Sequence, residues 1–173
     1  MREPSDYSAE FAELLRSFGL EVALIGALAA RRYRAVERQT TDVDFLARAL
    51  LDLPERLEAA GYEVRTVSEP GGVPYVAFIR GHGVRVDVLA AETPFQHAAL
   101  DRARDGVITV EDVIVHKLLA WRARDRDDIA SILAAGHRLD EAYISNWAAA
   151  WDVGGRWEEA LRSSGSDQEE DQP

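Results

Sequence analysis

The 173-residue chain has no cysteine. That excludes disulfides, thiolate nucleophiles and cysteine-type zinc sites, and it suits a reducing compartment. Long apolar runs are also missing: no segment approaches the ~18 continuous apolar residues of a membrane-spanning helix. The N-terminus, MREPSDYSAEF, carries acids near its start and no apolar h-region, so no signal peptide is expected. Positive charge is in deficit, with 20 Lys and Arg against 31 Asp and Glu and a formal charge of -11. So acidic a chain is no general DNA-coating protein, because the phosphate backbone attracts cations. Local basic patches, the densest being Arg31, Arg32 and Arg34, can still meet a nucleotide or an RNA end. The four histidines (His82, His97, His116 and His137) show no metal-ligand spacing. These absences together lead us to expect a soluble, cytoplasmic protein with no membrane partner.

Hydrophobic residues make up 47%, enough for a real core. SAEFAELLRSFGL places Phe11, Leu14, Leu15 and Phe18 at helical spacing, with Gly19 as a stop. EVALIG reads as a buried strand and ALAARRYR as a helix turning basic at its end, where positive charge suits the dipole. TDVDFLA reads as a strand, and LDLPERLEAAGY as a helix with Asp52 as cap. YEVRTVS, VPYVAFIR and GVRVDVLA read as three strands separated by the turn-rich EPGG and GHG, so a hairpin or meander follows. Beyond Pro94 the patterning is helical. The order predicts an α+β domain, a short mixed β-sheet with flanking helices followed by a C-terminal helical part. Boundaries are expected at 1–108 for the core, 109–162 for the helical region and 163–173 for a disordered acidic tail that holds four acids and no large apolar side chain.

The unusual stretch is RQTTDVDFLAR. Asp42 and Asp44 lie one residue apart in a strand, so they share a face. A third acid, Asp87, sits mid-strand in VRVDVLA, where Val84, Val86 and Val88 fill the opposite face. If the two strands are neighbours, three carboxylates converge. They would not all ionise at neutral pH without a cation, and a hard divalent ion such as Mg²⁺ or Mn²⁺ is the natural match. A plainer account stands beside this one: edge-of-sheet acids held by Arg38 or Arg85. Gly26 ends the strand before, where a glycine lets the backbone approach a phosphate; helix–sheet packing explains it as well. Thr40 and Arg38 fall on the Asp42 side if the strand starts early.

The segment IGALAARRYRAVERQTTDVDFL resembles the polymerase-beta-type nucleotidyltransferase superfamily: a glycine turn, a helix, acid-x-acid on a strand and a third acid on a later strand. Within it the chain looks most like the AbiEii-like group of toxin–antitoxin nucleotidyltransferases. Those carry R-x-[ST]-x-D-[ILV]-D, here Arg38, Thr40, Asp42, Val43 and Asp44, and a helix lysine followed by R-x-R-D-x-x-D, here Lys117, Arg122, Arg124, Asp125 and Asp128. The resemblance implies a nucleotidyltransferase fold and transfer of an NMP from an NTP to a hydroxyl on a tRNA end, a protein or a small molecule. It implies metal binding and catalysis by Asp42, Asp44 and Asp87, and nucleotide binding by Gly26, Ala27, Arg38, Thr40 and Lys117. Asp125 and Asp128 would support those residues from behind, and a cognate antitoxin or other partner protein would accompany the chain. One departure is Gly26-Ala27, where the family has Gly-Gly or Gly-Ser; it leaves a catalytically degenerate nucleotide- or partner-binding protein of the same fold as the alternative.

Overall fold

Two periodicities organise the chain, and each builds its own part of it. In this computed structural model, residues 3–36 and 38–169 are described. The chain divides into two compact units, Met1–Ala29 with Gln39–Thr109 and Ala30–Arg38 with Val110–Pro173. It leaves the first unit within a helix and returns to it at Gln39.

The first unit holds α1 (Pro4–Ser17), β1 (Val22–Ile25), the start of α2 (Gly26–Arg31), β2 (Val43–Ala47), α3 (Leu53–Ala59), β3 (Glu63–Ser68), β4 (Pro74–Gly81), β5 (Val84–Ala90) and α4 (Pro94–Arg102). The five strands form one mixed sheet in the order β1-β2-β5-β4-β3. β3, β4 and β5 are an antiparallel meander, β1 runs antiparallel to β2, and only β2 and β5 are parallel. Alternation sorts the sheet's two faces. Val43, Phe45 and Ala47 of β2 and Val84, Val86 and Val88 of β5 join Tyr7, Phe11 and Leu15 of α1 and Leu53 and Leu57 of α3 in the core. Asp44 and Asp87 take the intervening positions, so they occupy the opposite face.

Helix α1 is anchored by Tyr7, whose hydroxyl donates to the Arg85 carbonyl (3.0 Å) and accepts from the Arg85 N–H (3.1 Å). Asp52 does precede α3, yet its carboxylate caps no backbone N–H and accepts instead from Arg56 Nε, 2.7 Å away.

The second unit is helical: α5 (Val110–Ala120), α6 (Ala123–Ala134), α7 (Glu141–Ala150) and α8 (Gly154–Glu169). Ile114 and Leu118 of α5, Ile129 and Ile132 of α6, Ile144 and Ala148 of α7 and Trp157 of α8 are buried. Between α5 and α6 Trp121 adopts a positive φ of 49°. Its ring lies under the guanidinium groups of Arg126 and Arg156, at 5.7 and 5.8 Å. Arg156 also donates to the Leu118 and Leu119 carbonyls at 2.7 and 3.2 Å, satisfying acceptors that the end of α5 leaves unpaired. Helix α8 runs to Glu169, into the stretch that composition alone marks as tail. The remainder of that stretch, 170–173, lies outside the described residues.

Candidate active site

The acids of the first unit meet through sheet register. In the parallel β2–β5 pair, Asp44 is the direct partner of Asp87. Neighbouring strands lie roughly 4.8 Å apart, so the two carboxylates leave the same face side by side. Asp42 sits just ahead of β2.

Gly26 closes the other side of Asp44. Ile25 of β1 is in register with Asp44, and Gly26 follows it with φ +68°. A Cβ built on Gly26 would fall onto Asp44 Oδ2 and lie 3.0 Å from its Cγ. The glycine is thus required twice, by its backbone conformation and by the carboxylate lying over it. Helix α2 spans only six residues, so its dipole is slight; close approach of the backbone is what this turn supplies.

Two arginines stand where counter-charge is needed. Arg85, two residues before Asp87 on β5, places Nε 3.2 Å from Asp42 Oδ1. The distance is that of an ion pair, but no hydrogen bond forms, and Oδ1 is shut away from solvent. Thr41, rather than Thr40, donates its hydroxyl to the Asp42 carboxylate, at 3.2 Å. Thr40 donates to the Asp42 carbonyl at 3.3 Å and accepts from the Asp42 N–H at 3.5 Å, so it sets the backbone there. Arg80 of β4 donates to Asp87 Oδ1 at 2.9 Å. Sequence reading passed over Arg80 and Thr41. The period-2 pattern offered one signal for Arg80: it shares a strand face with Phe78, which pairs with Asp87 across β4–β5.

Among the described residues no three His, Asp or Glu side chains stand together closely enough to hold a metal ion by themselves. Asp44 and Asp87 are adjacent, whereas Asp42 and Asp87 are each drawn to an arginine that supplies the positive charge. The donor set still suits Mg²⁺ or Mn²⁺. All the donors are oxygens, two carboxylates are side by side, Asp42 Oδ1 is a buried acceptor without a hydrogen bond, and such an ion completes its shell with waters and substrate phosphates.

The remaining expected residues gather in the second unit. Lys117, 6% exposed, places Nζ 3.0 Å from Asp125 Oδ1 and 2.6 Å from Asp128 Oδ2. Arg34 reaches Asp128 Oδ1 at 2.7 Å and Arg38 reaches Oδ2 at 2.9 Å. Asp125 also accepts from Arg122, through the backbone N–H at 3.1 Å and Nε at 2.7 Å, which closes the first turn of α6. Burial pushes the Asp125 and Asp128 carboxyls up, but the hydrogen bonds from Arg122, Lys117 and Arg38 outweigh it and hold both below the usual aspartate value. Lys117 was expected to face phosphates; its ammonium is engaged by these carboxylates. Arg38, 38% exposed at its side chain, and Arg122, 57% exposed, are cations of the group that reach solvent.

A mixed five-stranded sheet with flanking helices is the architecture of the nucleotidyltransferase fold. Solved structures agree at the level of fold. The antibiotic-resistance factor ANT(2'')-Ia is 15% identical over 94% of this chain and 99% of its own, with a TM-score of 0.60. An antigenic nucleotidyltransferase-like protein from Paracoccidioides brasiliensis is 19% identical over 77% of this chain and 75% of its own, with a TM-score of 0.51. No family model matches the sequence, and no curated protein matches it.

Proposed function

We propose that this protein is a metal-dependent nucleotidyltransferase that moves an NMP from an NTP to a hydroxyl acceptor and releases pyrophosphate. The observation that carries the reading is the in-register pairing of Asp44 with Asp87, with Gly26 against Asp44. Two carboxylates at one level of a sheet repel unless a cation joins them. Asp42, Asp44 and Asp87 would hold Mg²⁺ or Mn²⁺, which when bound supplies charge neutralisation for the triphosphate and polarises the phosphorus under attack. Asp87 would take the proton of the attacking hydroxyl, from a strand to which Tyr7 is hydrogen-bonded at Arg85. The turn at Gly26 and Ala27 offers backbone N–H groups at close range, and Thr40 and Thr41 orient Asp42. In the helical unit Arg38 is a partly exposed cation held by Asp128, and Lys117 joins Asp128 to Asp125.

An antibiotic-resistance factor of matching length supports a small-molecule acceptor, and the acidic chain disfavours a long nucleic acid. A tRNA end or a protein acceptor, and a cognate antitoxin, follow from the AbiEii-like resemblance. The test is calorimetry with each NTP in excess Mg²⁺, then incubation of labelled NTP with aminoglycosides, tRNA and lysate protein. Asp44→Asn and Asp87→Asn should each cut transfer by about a hundredfold or more. Absence of NTP binding in excess Mg²⁺ overturns the proposal.

One observation favours a second reading. Arg80 and Arg85 already neutralise Asp87 and Asp42, as they would in a nucleotide- or partner-binding protein that has given up catalysis. NTP binding with no turnover on any acceptor would select it.

A further inference from the structure

Arg80 and Arg85 share the sheet face of the acids. β4 and β5 pair Arg80 with Arg85 and Phe78 with Asp87, so both arginines lie one row along from the Asp44–Asp87 row, at the Asp42 end. Their side chains are 35% and 39% exposed, so neither is locked in the core. Arg85 is fixed at its backbone, by Tyr7 from the core side, while on the other face its guanidinium makes an ion pair without a hydrogen bond to Asp42 Oδ1.

We infer that Arg85 and Arg80 are exchangeable counter-cations of this site: they hold Asp42 and Asp87 in the free protein, yield them to a divalent ion, and take the nucleotide's phosphates instead. The inference rests on the nucleotidyl-transfer reading. A guanidinium and a metal ion compete for the same carboxylate oxygens, so the ion binds weakly when it arrives alone. A triphosphate changes the balance, because it gives each displaced guanidinium a planar, two-oxygen partner on the same face. Arg80 has in addition Glu63 opposite it in register on β3. Metal and nucleotide then favour each other's binding, and by linkage each does so by the same factor. These arginines then touch the nucleotide itself, and their removal should move the two ligands in opposite directions.

The experiment measures Mn²⁺ binding alone by electron paramagnetic resonance, and NTP binding in saturating Mn²⁺ by calorimetry. It uses the full chain as wild type, Arg85→Ala, Arg80→Gln and Arg85→Lys, each checked for folding by thermal melting. Arg85→Ala and Arg80→Gln should bind Mn²⁺ alone about three- to tenfold tighter and NTP about tenfold weaker. Arg85→Lys keeps the charge and loses the fork, so Mn²⁺ affinity stays near wild type while NTP affinity falls. A purely structural role would weaken both ligands together. If wild type binds Mn²⁺ and NTP but removing the arginines leaves Mn²⁺ affinity unchanged or lowers it, the inference is overturned and the transferase reading stands. If no form binds Mn²⁺ with or without NTP, both are overturned.

Discussion

A methyl group at position 26 would land on the Asp44 carboxylate, in a backbone conformation that L side chains rarely adopt. Gly26→Ala is therefore expected to cost about 1–3 kcal/mol, measured by urea unfolding, and to weaken NTP binding by displacing Asp44. Gly26 stood out in the sequence, but its reason did not, because the group it accommodates lies eighteen residues away on another strand. The threonines show the same limit. Alternation put Thr40 on the Asp42 side, yet the hydroxyl on the carboxylate is that of Thr41, since the chain has not entered β2 there and period-2 alternation does not hold.

At the scale of elements, α5 and α6 are held together by a buried ion cluster. Asp128, 1% exposed, faces Lys117, Arg34 and Arg38 at once. Asp128→Ala would leave buried cations uncompensated and is expected to cost about 3–5 kcal/mol in chemical denaturation. Both aspartates titrate below their unfolded value in the folded chain, so their stabilisation is complete above the unfolded aspartate pKa of 3.8 and is lost as pH falls through the folded values. Helical periodicity announced both helices. It did not announce the Lys117–Asp125 pair, because the left-handed break at Trp121 intervenes and the eight-residue spacing is not that of a single helix.

For the whole molecule, the pH response above the carboxylate range should come from His116. Burial, and then the Lys117 charge, push its pKa down to about 4. Part of the residue reaches the surface, but Nε2 does not. The folded chain thus keeps His116 neutral where the unfolded chain protonates it near 6.5. Its contribution is complete above pH 6.5 and is lost between about 6.5 and about 4, with a slope of at most about 1.4 kcal/mol per pH unit. Unfolding free energies measured from pH 7 to 4.5 should show that slope, and His116→Gln should flatten it.

The order of helices and strands and the meander are properties of the sequence by itself, because backbone geometry sets those periods within each element. The missing cysteines likewise determined which chemistries were closed to the chain. Tertiary structure alone decided that β5 lies parallel to β2 with Asp87 at the level of Asp44, that Arg80 and Arg85 serve those acids, and that Lys117 faces aspartates. Such pairings join residues tens of positions apart. They are set by how whole elements bury their apolar faces against one another, and no local pattern encodes that.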